Sequence, residues 1–182
     1  QSTYLTDARY SYTVNEKRIL YHVLVFIKNA MNEGVSESMF RETLYMTIPE
    51  AQVKKLHPDP DNAVRDMRVA AKKLRIREVS YDTEGGWMEA GMISSGEYIK
   101  GKGLEVEISR KVAPLYLEVA RNFTAFSALV AMTLQSSYSQ RFYEFCSRWK
   151  DVGFFTFTPE DLAFRLKLEG SPAGELKKAI EK

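Results

Sequence analysis

The sequence predicts an α+β fold, mainly helical, in which a helix-turn-helix is followed by a β-hairpin wing. Three observations carry this. Thr47-Ile48-Pro49-Glu50 opens a short helix, a turn and a basic helix, and the same order returns from Thr158-Pro159-Glu160-Asp161. The hydrophobic period changes from helical to alternating just after Leu74. Eight cations stand against three acids between Lys54 and Arg77, a local basic stripe in a chain whose net charge is only +2.

The elements follow in order. Gln1 to Tyr12 is polar with scattered Tyr and is expected to be irregular. From Asn15 to Asn32, Leu20, Val23, Leu24, Ile27, Ala30 and Met31 recur at helical spacing, and Gly34 supplies a stop. Ser38 to Tyr45 fits a short helix or a loop, and Tyr45 to Ile48 a short strand. Pro49 to Leu56 is the first helix of the pair. Thr, Pro and an acid suit its start because they cap open backbone N–H groups, preset φ and complement the positive helix end. His57-Pro58-Asp59-Pro60-Asp61 breaks it, and Asn62 to Leu74 is the second helix. There Ala63, Met67, Ala70 and Leu74 share one face, with Lys and Arg on the other.

Ile76 to Tyr81 alternates as a strand does, and Thr83-Glu84-Gly85-Gly86 is a turn. Trp87 to Ile93 and Glu97 to Lys100 fit the returning strand, and Gly101-Lys102-Gly103 turns into Leu104 to Ile108. A hairpin or three-stranded meander directly after the basic helix is the expected wing. Val112 to Ala120 returns to helix with Pro114 in its first turn. One long helix is then expected from Ala125 to Lys150, with Phe126, Val130, Leu134, Tyr138, Phe142, Phe145 and Trp149 as an inward stripe. Asp151-Val152-Gly153 ends it. The expected organisation is therefore a winged-helix domain over 1–152 and the start of a second over 153–182. In the second, Pro159 to Leu166 leads through Glu169-Gly170-Ser171-Pro172 into a basic helix with Leu176, Ala179 and Ile180 inward. The two copies slip by one residue in the loop, so duplication is suggested by order rather than by strict register.

With 182 residues, 45% of them hydrophobic, the chain is long enough for one sizeable core or two small ones. Its longest apolar stretch, Ile19 to Ile27, is interrupted by Tyr21 and His22 and is too short to span a bilayer, so neither a membrane span nor a leader is expected. The single Cys146 cannot form an internal disulfide. That favours a reducing cytoplasm, with Cys146 buried as a small apolar residue beside Phe145 and Trp149.

A basic stripe on the second helix of a helix-turn-helix can neutralise phosphates even where the whole chain is nearly neutral. Arg65, Arg68, Lys72, Lys73 and Arg75 are the candidate DNA contacts of the first unit. Arg suits paired hydrogen bonding to guanine and Lys suits phosphate. Lys100 and Lys102 at the wing tip are candidates for backbone phosphate, and Lys177 and Lys178 hold the matching place in the second unit. The bland reading of all of them is solvated surface. Enzymatic readings find little support. His22 sits at the border of the first helix's apolar face and His57 beside Pro58, with no partner at ligand or triad spacing. Gly101-Lys102-Gly103 is too short for a phosphate-binding loop, so no metal, nucleotide or other cofactor is expected.

Leu134-Gln135-Ser136-Ser137-Tyr138-Ser139-Gln140-Arg141-Phe142-Tyr143-Glu144 resembles the Leu-Lys-Ser-x-Tyr-x-x-Arg-Leu-Tyr-Glu signature of the iteron-binding plasmid replication initiators, often called the RepB-type family. Asn122-Phe123-Thr124-Ala125-Phe126, and Val106-Glu107-Ile108-Ser109 before the Pro-Leu-Tyr-Leu helix, add to the resemblance, which covers nearly the whole chain. It implies tandem winged helices, the first complete and the second only begun. In such proteins the second domain reads the repeated origin sequence in the major groove, while the first adds DNA contacts and much of the dimer contact. Family members open the origin as monomers, repress their own gene as dimers, and form no covalent bond to DNA.

The chain departs from that pattern by ending at Lys182, inside the second basic helix, so a piece of a longer protein is expected, one in which folding and dimerisation of the first domain dominate. The expected partners are double-stranded DNA, a second copy of the chain and host replication proteins. Arg141 is expected to be structural, paired with an acid such as Glu144. Two other readings remain open: a winged-helix transcription regulator, and a dimerisation module without DNA specificity of its own. The region from Arg77 to Ser109 offers exposed strand edges for such a dimer.

Overall fold

The computed structural model describes residues 12–121, 125–149, 153–154 and 156–166. Its central element, α1 (Val14–Asn32), is fixed at both ends by local chemistry. Thr13 and Glu16 form a reciprocal capping box, Glu16 N donating to Thr13 Oγ1 at 3.3 Å and Thr13 N to Glu16 Oε2 at 2.7 Å. At the other end Gly34 takes φ +81, and Val35 N and Gly34 N donate back to Ala30 O and Met31 O, a Schellman motif that only a left-handed residue closes.

A 3-10 turn at Glu37–Arg41 buries Phe40 and leads into β1 (Leu44–Pro49), where Met46 and Ile48 face the core. The helix-turn-helix is α2 (Glu50–Lys55) and α3 (Ala63–Ile76). The strands are β2 (Glu78–Thr83), β3 (Gly86–Gly91), β4 (Ser95–Ile99) and β5 (Gly103–Ile108). They form two sheets. β1, β5 and β4 lie in that order, antiparallel throughout, and β2 pairs only with β3.

This separates what the alternating pattern had merged. The hairpin that directly follows α3 is an insert with its own two-stranded sheet. The wing proper is β4–β5, which pairs with the strand preceding the helix-turn-helix. Period-two alternation says that a segment is a strand but not which strand it joins.

The core lies between α1, the inner faces of α3 and the three-stranded sheet, and α4 (Ala113–Arg121), with Ile19, Val23, Ile27, Ile48, Met67, Leu74, Ile93, Ile108 and Tyr116 buried. A second, smaller cluster gathers Tyr21 with Ala128, Ala131 and Met132 on the opposite side of α1.

The expected single helix from Ala125 to Lys150 is two helices, α5 (Ala125–Thr133) and α6 (Ser137–Trp149). The junction is held by side chains from elsewhere. Gln140 Nε2 donates to Ala131 O and Leu134 O, and Arg18 donates to Met132 O and to Gln135 Oε1. Because of the break, the expected inward stripe is not continuous. Phe145 is buried, but Phe142 and Trp149 are exposed, and Gln140 and Arg141 are buried instead. Cys146 is likewise exposed rather than buried. The final described helix, α7 (Pro159–Leu166), is capped by Thr158, whose Oγ1 accepts Asp161 N at 3.1 Å. Before it, Phe157 packs against Phe145 with ring centroids 5.5 Å apart.

Candidate nucleic-acid interface

The exposed surface of α3 is set by its sequence. At 3.6 residues per turn, Ala63, Met67, Ala70, Ala71 and Leu74 fall within one sector and are buried. Arg65, Arg68, Lys72, Lys73 and Arg75 occupy the complementary sector, and all five are exposed. Arg65 Nε bonds its neighbour Asp66 at 2.9 Å yet stays 67% exposed. Arg68, Lys72, Lys73 and Arg75 form no ion pair among the described residues. Val69 and Ile76 are exposed in the middle of the same sector, two apolar side chains that charge counting passed over.

Two cations of the basic run belong elsewhere. Arg77 Nε pairs with Glu16 Oε1 at 2.5 Å, and its guanidinium lies 4.6 Å from the Tyr12 ring centroid. Burial pushes the Glu16 carboxyl up, but hydrogen bonds from Arg77 and Thr13 outweigh it and hold it below its ordinary value. Arg77 therefore ties the end of α3 to α1. Lys54 pairs with Glu50 at 2.5 Å.

The turn between α2 and α3 is a built structure. His57 is buried, its Nδ1 3.1 Å from Asp59 N and 2.6 Å from Asp59 O, and its Nε2 lies 3.2 Å from Asp66 and 3.5 Å from Asn15 Nδ2. Sequence spacing showed no partner for His57. The fold gives it several, and they tie the turn to α3 through Asp66 and to α1 through Asn15. His22 is also fully inside rather than at a border, with Nε2 unpartnered among the described residues, and burial lowers its pKa to about 4.

The two helix starts, Thr47-Ile48-Pro49-Glu50 and Thr158-Pro159-Glu160-Asp161, are capped differently. Thr158 caps α7, but Thr47 lies within β1 and makes no cap for α2. The N–H of Glu50 donates instead to Lys102 O, 3.1 Å away in the wing turn. Lys100 and Lys102 are exposed at that turn, and Lys102 pairs with Glu105. Lys177 and Lys178 lie outside the described residues.

The signature string has a structural place. On α6, Glu144 receives Lys17 Nζ at 3.1 Å, the Tyr21 hydroxyl at 2.5 Å and Arg141 Nη1 at 3.3 Å. Arg141 is thus paired with Glu144 as its spacing implies, in a buried network that docks α6 on α1.

Among the described residues no helix is long and apolar enough to cross a membrane, and no group of three or more His, Cys, Asp or Glu could hold a metal ion. The helix-turn-helix, the three-stranded sheet and the β4–β5 wing define a winged-helix protein of the α+β class. A family model described as "Initiator Replication protein, WH1" matches residues 1–147, and the chain belongs to that family of plasmid-type replication initiators. No curated protein matches the chain.

Proposed function

We propose that this chain is the DNA-contacting and dimerising part of an initiator that binds repeated sequences at a plasmid origin. The basic sector of α3 (Arg65, Arg68, Lys72, Lys73 and Arg75) meets the duplex, Lys100 and Lys102 of the wing reach backbone phosphate, and Lys177 and Lys178 belong to a second unit with the same task. The first unit spans 1–152 and the second begins at 153. Binding is not accompanied by chemistry on the DNA, and as a dimer the protein represses its own gene and works beside host replication proteins in the bacterial cytoplasm.

The observation that carries the reading is the set of five exposed cations on the second helix of a helix-turn-helix, four of them with no ion pair among the described residues. Phosphate neutralisation needs such uncommitted charge. The test is titration with repeated origin DNA and with a scrambled duplex at matched salt. Tighter binding to the repeats supports the reading, and equal binding removes the sequence-specific part of it.

One observation favours a second reading, a dimerisation module without DNA specificity. The β2–β3 hairpin stands apart from the main sheet with Trp87 70% exposed and both outer strand edges unpaired among the described residues. Such edges pair readily with another chain. Sedimentation at high concentration decides it, because a strict monomer removes dimerisation from the proposal.

A further inference from the structure

The start of α2 and the tip of the wing are fastened together at one side chain. Glu50 Oε2 accepts the Gly101 N–H at 2.6 Å, and Oε1 pairs with Lys54 Nζ at 2.5 Å. The Glu50 N–H, one of the donors that a helix start leaves without an intrahelical partner, goes to Lys102 O. Gly101 takes φ +83, as the third residue of a type II turn does, and Lys102 N closes that turn on Ile99 O at 3.0 Å. Gly103 then passes so close to β1 that a Cβ there would overlap the Ile48 carbonyl oxygen.

A hairpin tip held only by its own turn is among the most mobile parts of a domain. This one is bonded on both sides of Gly101 to the first helix of the helix-turn-helix, and that helix packs on α3. We infer that Glu50 is a positioning residue for DNA binding, one that fixes Lys100 and Lys102 relative to the basic sector of α3 so that wing and helix meet the duplex as one rigid unit. The inference rests on the DNA-binding reading above. Hydrogen bonds from Lys54 and Gly101, with the Tyr98 hydroxyl acting in the same direction, hold the Glu50 carboxyl down to about 2, so the clamp is ionised throughout the neutral range.

Two variants separate the clamp from the charge. Glu50→Gln and Glu50→Ala both remove a negative charge near DNA and both release Lys54, but only Gln keeps an oxygen that can accept the Gly101 N–H. The surface ion pair adds little to stability, so both variants fold, as thermal melts will register. We expect Glu50→Ala to bind duplex DNA about threefold more weakly than Glu50→Gln, as loss of one hydrogen bond implies. In a Lys100→Ala, Lys102→Ala background the two should bind equally. Equal binding with the wing lysines present, or an undiminished difference without them, overturns the inference. Exchange of the Gly101 amide, read without DNA, should be faster in Glu50→Ala than in Glu50→Gln. Unchanged exchange overturns the clamp itself. Failure of the unaltered chain to bind any duplex overturns the DNA reading and is told apart by the Gly101 exchange.

Discussion

Glu144 accepts the Tyr21 hydroxyl at 2.5 Å while pairing with Lys17 and Arg141, so one acid on α6 serves three buried partners. Burial lowers the Lys17 pKa, Glu144 opposing it, and burial beside Glu144 raises that of Tyr21. Removing the acid takes the ion-pair partner from the buried Lys17 and one carboxylate contact from Arg141. Glu144→Ala should cost about 4 kcal/mol in urea unfolding, whereas Tyr21→Phe, which deletes one hydrogen bond, should cost about 1 kcal/mol. A loss below about 1 kcal/mol for Glu144→Ala would show that the cations find water or other acceptors.

His22 gives the fold a pH dependence of known sign. Its folded pKa is depressed to about 4 from 6.5 by burial, so the unfolded chain binds the proton first as pH falls. The associated stability is fully present above 6.5 and is lost as pH drops towards 4, by about 3 kcal/mol in all. Denaturation followed from neutral pH down to about 4.5 should take this course in the parent, and His22→Leu should flatten it. Glu50, lowered to about 2, acts in a separate window: its contribution is present above 4.5 and disappears only as pH falls towards 2.

Two glycines of the wing should respond differently to alanine. At Gly101 a Cβ meets open space and only the positive φ is unfavourable, so Gly101→Ala should cost about 1–2 kcal/mol. At Gly103, with φ +138, the Cβ would also lie 2.8 Å from Glu50 N as well as overlapping Ile48 O. Gly103→Ala should cost clearly more than Gly101→Ala in thermal melts. Similar melting shifts would mean that β1 yields to the intruding methyl.

Charge reversal at Arg68 and Lys72 tests the α3 sector. For every phosphate that the variant no longer neutralises, the slope of log K against log salt should fall by about 0.9. Titrations at several salt concentrations should therefore give a weaker and flatter salt dependence for Arg68→Glu, Lys72→Glu. An unchanged slope would place both residues on free surface.

What was legible in the sequence was chiefly local. The periodicity of α1 and α3, the Gly34 stop and the basic sector are written in spacings of three, four and seven residues, which a helix turns directly into faces. The partition of strands was not legible, because pairing of β1 with β5 depends on residues far apart in the chain. Nor was the break between α5 and α6, since Leu134, Gln135 and Ser136 include no Gly or Pro. There the interruption is held by Arg18 and Gln140, whose side chains reach carbonyls of other turns. Glu50 was visible only as a favourable first-turn acid. Its bond with Gly101, 51 residues on, exists only in the fold.

The β2–β3 insert leaves and rejoins the main body at almost one point, where Met92 N donates to Arg77 O at 2.9 Å. The helix-turn-helix and the β4–β5 wing are thus connected beneath the hairpin, whose base alone packs on the core, through Val79 and Ala90. Lengthening, shortening or exchanging the outer part of that ribbon, beyond Val79 and Ala90, alters what the molecule offers to a neighbour while leaving the proposed DNA-contacting sector of α3 in place, and this is the natural place to graft another interaction module.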